Sequence, residues 1–252
     1  KDVAVKPEKA GMMGFFGTGG LQLAQIEESI QYIQKELTSG QAYGMNLLHT
    51  PDQQEREDQL VELYIRYGIN VIEASAYMSI TPALLKYRAH GVKMLPDGAV
   101  MSTNRIIGKV SRAEVAELFL RPAPEYLVEK MVRENQITRE QAHLLSKIPM
   151  AEHLCIVADS GGPTDGAVAY VLLPAMIQLR DKMMKKYKYP KKIRIGAAGG
   201  IGTPEAAAAA FILGADFILT GSINQCTVEA GTSEAVKDLL QQVHIQDTAY
   251  GL

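Results

Sequence analysis

Tryptophan is absent from this 252-residue sequence, cysteine occurs only twice, and aromatic residues make up 6% of the chain. Cys155 and Cys226 stand in apolar strand or helix-start surroundings and form no disulfide framework. No Asn-x-Ser/Thr acceptor occurs either, so the expected compartment is the cytoplasm. No apolar run approaches the roughly 20 residues that span a bilayer. Residues 1–10 hold no signal-peptide core, and the expectation is no membrane partner. Charge of one sign is missing as well: 26 Lys plus Arg stand against 28 Asp plus Glu, which predicts no nucleic-acid partner. The basic run at 182–192 reads as a solvated helix end. Neither residues 14–22 nor 196–202 give G-x-G-x-x-G in register, and no turn is followed by Gly-Lys-Ser/Thr. A Rossmann fingerprint and a Walker loop are both excluded.

With 47% hydrophobic and 21% charged residues, the chain can bury the core of one large domain or of a domain with an insertion. Its most informative stretch is 193–222. An apolar strand at 193–198 runs into Gly199, Gly200 and Gly202, whose backbone can turn tightly with its N–H groups exposed. Thr203, Pro204 and Glu205 open an alanine-rich helix that Gly214 ends. A second apolar strand, 215–220, delivers Gly221 and Ser222 to the same end of the sheet. Two glycine-rich strand ends one βα unit apart predict a phosphate site built from backbone donors and helix dipoles.

Strand and helix patterns alternate along the rest of the chain. Strands are expected at 12–16, 45–48, 69–73, 105–110 and 154–158, and helices at 23–37, 56–67, 82–90 and 173–186. Between 111 and 150 the alternation breaks into three helices, at 115–120, 124–135 and 138–147. The sequence thus divides into a first barrel part (1–110), a helical insertion (111–150) and a second barrel part with the phosphate loops (151–252). Regular alternation with near-continuous apolar strands predicts an α/β fold of the TIM (β/α)8 type. Seven strands are counted, so one is unaccounted for and is expected either at an end of this chain or outside it.

The segments GMMGFFGTGGL (11–21), YGMNLLHTP (43–51), IEASAYMSITPALLKYR (72–88), IIGKVSR (106–112), ADSGGPTDG (158–166) and GAAGGIGTPEAA through TGSINQCTVEAGTSE (196–234) resemble the trans-acting enoyl reductases of polyketide and polyunsaturated fatty acid synthases. Those proteins belong to the 2-nitropropane dioxygenase-like flavoprotein group. The resemblance covers nearly the whole chain. It implies an FMN-binding TIM barrel that uses NADPH to reduce the α,β double bond of a chain held on an acyl carrier protein, with an oligomer left open.

Position by position, the resemblance implies that Gly199, Gly200, Gly221 and Ser222 hold the FMN phosphate. Asn46 meets the isoalloxazine ring, Lys109 lies beside it, and Gly17 and Thr18 also bind the cofactor. Asp159, Ser160, Gly161 and Gly162 form the turn where backbone approaches the flavin. The family continues that turn with a histidine credited with proton handling, whereas this chain has Pro163, which has no titratable group. His49 and Asp165 are the substitute candidates by motif position. Family members also begin with a strand ahead of residues 1–11, which would supply the eighth, and they place across 3–9 a helix that Pro7 is expected to break. Two other readings stand beside enoyl reduction: nitronate oxidation on the same FMN, and a non-catalytic flavin-binding or docking module.

Overall fold

The computed structural model describes residues 1–9, 12–37, 42–160, 165–244, 247 and 249. Seven strands form one all-parallel sheet whose order follows the chain: β1 (Phe15–Phe16), β2 (Gly44–Leu48), β3 (Val71–Ser75), β6 (Arg105–Val110), β7 (His153–Val157), β8 (Arg194–Ala198) and β9 (Phe217–Leu219). This is the curled, sequential sheet of a TIM-type barrel, open between β1 and β9 among the described residues. An antiparallel hairpin, β4 (Val92–Met94) and β5 (Val100–Ser102), lies apart from it. The seven strands agree with the sequence reading to within a few residues at their ends. The hairpin was not anticipated, because two three-residue runs hold too little alternation to register as strands.

Helices α1 (Asp2–Lys9), α2 (Leu23–Glu36), α3 (Gln54–Arg66) and α4 (Pro82–His90) accompany the first strands. Next come α5 (Ala113–Leu120), α6 (Glu125–Arg133) and α7 (Arg139–Leu145), which stand in succession between β6 and β7. Then α8 (Ala169–Tyr187), α9 (Pro204–Ile212) and α10 (Glu234–Leu240) complete the set. The expected break at Pro7 does not occur, and α1 runs through it. Pro7 is the sixth residue of an eight-residue helix, so few intrahelical bonds are forfeited there. Ala4 and Val5 are buried against Ile33 and Leu37, which ties the helix to α2.

Strand alternation sorts the side chains into two layers. Met45 and Leu47, Ile72 and Ala74, Leu154 and Ile156, and Ile195 and Ala197 point outward into the main core under the helices. Val71, Ile107, Cys155, Val157 and Ala198 point inward, with Phe15, Phe217 and Leu219 packed on them. The inside of the sheet therefore has an apolar floor.

One buried cation ties α4 to the segments that lead into β6 and β7. Arg88, 1% exposed, donates to the Asn104 carbonyl at 3.0 Å and the Pro149 carbonyl at 2.8 Å, and pairs with Glu152. Glu152 in turn accepts from the Ile106 backbone N–H at 3.1 Å. Arg88→Met keeps the bulk and removes the charge, leaving Glu152 and two carbonyls short of a partner. The expected loss is about 3–5 kcal/mol, read as a lower urea midpoint at unchanged slope. A midpoint equal to the parent's would show that water replaces the guanidinium.

Candidate functional site

Two kinds of group meet at the C-terminal end of the sheet. The first is backbone. Gly199 and Gly200, straight after β8, have φ of 90° and 68°, in the left-handed region that glycine enters without strain. A Cβ on Gly199 would lie 2.4 Å from the Ala158 carbonyl oxygen, so this turn packs backbone against backbone. Thr203 caps α9 by accepting from the Ala206 N–H at 3.2 Å, and Pro204 occupies the first turn. After β9, Gly221 leads into a short 3₁₀ turn, Ser222–Cys226. Gly221 and Ser222 are both exposed, as is Gly200. A cavity of about 410 Å³ opens beside the first turn on the outer side of the sheet, between α8 and α9, with Ile156, Leu173, Ala197 and Ala210 among its walls.

The second kind is a row of inward side chains on adjacent strands. Asn46 of β2 stands in register with Glu73 of β3, and Lys109 lies two residues beyond Ile107, the β6 partner of Glu73. The Asn46 amide nitrogen donates to Glu73 Oε2 at 3.2 Å and to Ser75 Oγ at 2.9 Å. Lys109 Nζ is 3.3 Å from Glu73 Oε1. Cys155 lies fully buried below, and burial, with the Glu73 charge behind it, pushes its thiol up to about 12, which leaves it unreactive. Thr18 is buried and donates to the Asn46 carbonyl at 3.0 Å, so it braces the strand end, whereas Gly17 is exposed with open space around it.

The remaining candidates are placed as follows. His49 lies beyond β2 on its outer side. Its Nδ1 is 2.7 Å from Glu57 Oε2, and its ring stacks on Tyr77 with centroids 5.0 Å apart. Buried Glu57 also takes a hydrogen bond from Thr81, the cap of α4, so the imidazole is anchored in the helix layer. Asp165 receives Arg112 Nε and Nη2 at 3.1 and 2.8 Å and the Ser111 hydroxyl, and these bonds hold its carboxyl below the usual range. Asp159 accepts from the Ser160 N–H at 3.0 Å, and its own N–H donates to the Ala167 carbonyl at 2.9 Å, closing the loop. Gly161, Gly162 and Pro163 lie outside the described residues. Sequence reasoning missed Glu73 and Ser75. Their signal was a polar residue at alternate places in the otherwise apolar run VIEAS.

These residues fit FMN. The glycine turns supply backbone N–H donors beside a capped helix for a phosphate, and Asn46 and Lys109 supply an amide and a cation for the edge of a flavin ring. The two turns differ in tolerance. Gly199→Ala should cost about 1–3 kcal/mol of backbone strain, with a similar amount for overlap with Ala158. Gly221→Ala, whose Cβ meets nothing within 4 Å, should stay within about 0.5 kcal/mol of the parent. Urea denaturation of the two variants checks this, and equal losses would show that the left-handed turn at Gly199 is not required.

No protein-family model matches the chain. It is 62% identical over 250 residues to the polyketide biosynthesis protein PksE of Bacillus subtilis, covering 99% of this chain and 33% of that protein. It is 43% identical over 248 residues to a component of the polyunsaturated fatty acid synthase of Thraustochytrium, covering 98% of this chain and 16% of that protein. The crystal structure of the enoyl reductase domain of MlnA, from the macrolactin biosynthesis cluster of Bacillus amyloliquefaciens, matches with a TM-score of 0.95 at 51% identity, over 99% of this chain and 56% of that one. FabK from Thermotoga maritima shares the fold, with a TM-score of 0.65 at 20% identity over 98% of this chain and 62% of that one. The chain thus spans a third or less of these two curated relatives.

Proposed function

We propose that this chain, a homologue of the trans-acting enoyl reductases of polyketide and polyunsaturated fatty acid synthases, forms the FMN-binding part of an oxidoreductase. Its substrate is an α,β-unsaturated acyl group on an acyl carrier protein, and its reductant is NADPH. The observation that carries this reading is the pairing, at one end of one parallel sheet, of two glycine turns on β8 and β9 with the inward Asn46 and Lys109.

FMN bound there would supply the hydride for the double bond. Gly199, Gly200, Gly221 and Ser222 bind the phosphate through backbone N–H groups, and the N-terminus of α9 adds its dipole. Lys109 holds a positive charge over the apolar floor, where negative charge that develops during reduction is poorly screened. Asp165 is kept ionised by Arg112 and Ser111 and has no proton to give at neutral pH. His49 is anchored by Glu57 on the far side of β2. With proline at 163, the imidazole that the family uses is missing, and loss of a positioned acid typically costs about 10²- to 10⁴-fold in rate.

Phosphate binding is tested by Gly200→Asp. Aspartate tolerates the left-handed backbone, and a Cβ there has only the Asp159 carbonyl at 3.7 Å, so the variant should fold. Its carboxylate would stand where the phosphate is held. The parent should purify yellow and the variant colourless, and equal flavin content in both would move the phosphate elsewhere.

The chemistry is tested by stopped-flow mixing of the NADPH-reduced protein with a crotonyl carrier-protein mimic. The parent should be reduced readily by NADPH and reoxidised slowly by the enoyl thioester. Pro163→His should speed reoxidation at least about 10-fold without tightening FMN binding. Equal, fast reoxidation in both would make water or another residue the donor. Fast reoxidation by a nitronate and oxygen alone would favour the oxidase reading, and FMN binding with no reoxidation by either would favour the docking module.

A further inference from the structure

Glu73 is a charge placed where charge is expensive. It is 6% exposed, rises from β3 over the apolar floor formed by Val71, Ile107 and Cys155, and contacts both side chains assigned to the flavin ring. Removing a carboxylate from water in such surroundings costs several kcal/mol unless its partners recover it. The partners here are the Asn46 amide and the Lys109 ammonium, carried by the strands on either side of β3.

A carboxylate without a proton is acceptor-only, and that property fixes the Asn46 amide. The nitrogen of Asn46 must face Glu73, and it does so while also reaching Ser75 Oγ at 2.9 Å and the Glu73 carbonyl at 3.4 Å. Both amide hydrogens are thereby committed to the protein. Among the described residues no donor reaches Asn46 Oδ1, so the side chain offers an acceptor and nothing else. On its other oxygen Glu73 holds Lys109 Nζ at 3.3 Å, an ion pair without a well-aligned hydrogen bond, which leaves the ammonium hydrogens free for a further acceptor.

We infer that Glu73 is a positioning residue: it turns Asn46 so that only Oδ1 faces the ligand, and it pins Lys109 beside it, so that the pair reads a ring N–H next to a ring carbonyl. In FMN that edge is N3–H with its neighbouring oxygens. The inference rests on the FMN reading and extends it to a residue that touches neither the phosphate nor the reacting atoms.

The test compares FMN with 3-methyl-FMN, in which the N3–H donor is replaced by a methyl group, using the apoprotein and flavin fluorescence. In the parent, methylation should weaken binding about 10-fold or more, the size of one lost hydrogen bond with its acceptor left dry. In Glu73→Gln the new amide can donate as well as accept, Asn46 is free to turn over, and the ratio of the two dissociation constants should fall toward one. Glu73→Asp keeps an acceptor-only group and should retain part of the discrimination. A merely structural glutamate would weaken both flavins equally, and an unchanged ratio in Glu73→Gln therefore overturns the assignment while leaving FMN binding intact. If the parent binds neither flavin, the FMN reading fails and this one falls with it. Should Glu73→Gln not fold, hydrogen exchange at the Asn46 side-chain amide of the parent decides: protection supports the assignment, and exchange at the rate of a free amide overturns it.

Discussion

The inner strands of the parallel sheet carry buried residues on both faces, and that constraint decides where chemistry can be placed. The outer face must be apolar because helices lie on it. Met45 and Leu47, Ile72 and Ala74, and Ile195 and Ala197 meet that demand. The inner face must be apolar too wherever the sheet curls closely on itself, as at Val71, Ile107 and Cys155. Polar side chains are left one kind of position, the inward places near the C-terminal strand ends, where the curl opens toward solvent. Asn46, Glu73 and Lys109 occupy such places on three neighbouring strands, which is the general location of active sites in this architecture.

The same constraint sets how these groups must behave. Above an apolar floor the effective dielectric is low, so a lone lysine or glutamate would be driven toward its neutral form or out of the site. Glu73 sets one oxygen 3.3 Å from Lys109 Nζ, and its other oxygen accepts from the Asn46 amide. Cys155 shows the opposite outcome. Fully buried and next to Glu73, its thiol is pushed up to about 12 and remains an inert packing group. The glycine turns avoid the problem differently, since backbone N–H groups carry partial charge without a desolvated ion.

Much of this was legible in the sequence because period and punctuation agreed. The seven strands are mostly apolar runs, and Thr203-Pro204-Glu205 announced α9 residue by residue. Pro7 misled because a local rule about helix interiors was applied to a helix short enough, and well enough packed through Ala4 and Val5, to outlast the loss. The β4–β5 hairpin went unread because three residues cannot display a period. His49 is a third kind of limit. Its motif position sets it at a strand end, but which side of the strand it faces depends on alternation counted from Asn46 and on the buried carboxylate of Glu57, a partner eight residues away on α3. Glu73 was hidden by its chemistry: a single acidic residue in a strand reads as an exposed charge until its neighbours across the sheet are known.

The sheet's two outer strands show how its ends are protected among the described residues. Strand β1 is two residues long and β9 three, so few unpaired N–H and C=O groups are presented, and short edges are a standard defence against unwanted pairing. Each also lays a phenylalanine over a glycine of its neighbour. The Phe15 ring covers Gly44, where a Cβ would come within 2.1 Å of it, and Phe217 covers Gly196 at 2.2 Å. An aromatic ring over a strand glycine shields backbone that would otherwise be wet and restores the packing that the glycine gives up. Gly44 lies two residues before Asn46, and Gly196 two before the Ala198 that leads into Gly199. The edge packing and the candidate strand ends are therefore set by the same two strands, β2 and β8, and a change at either glycine would be felt along the strand at Asn46 or at the Gly199 turn.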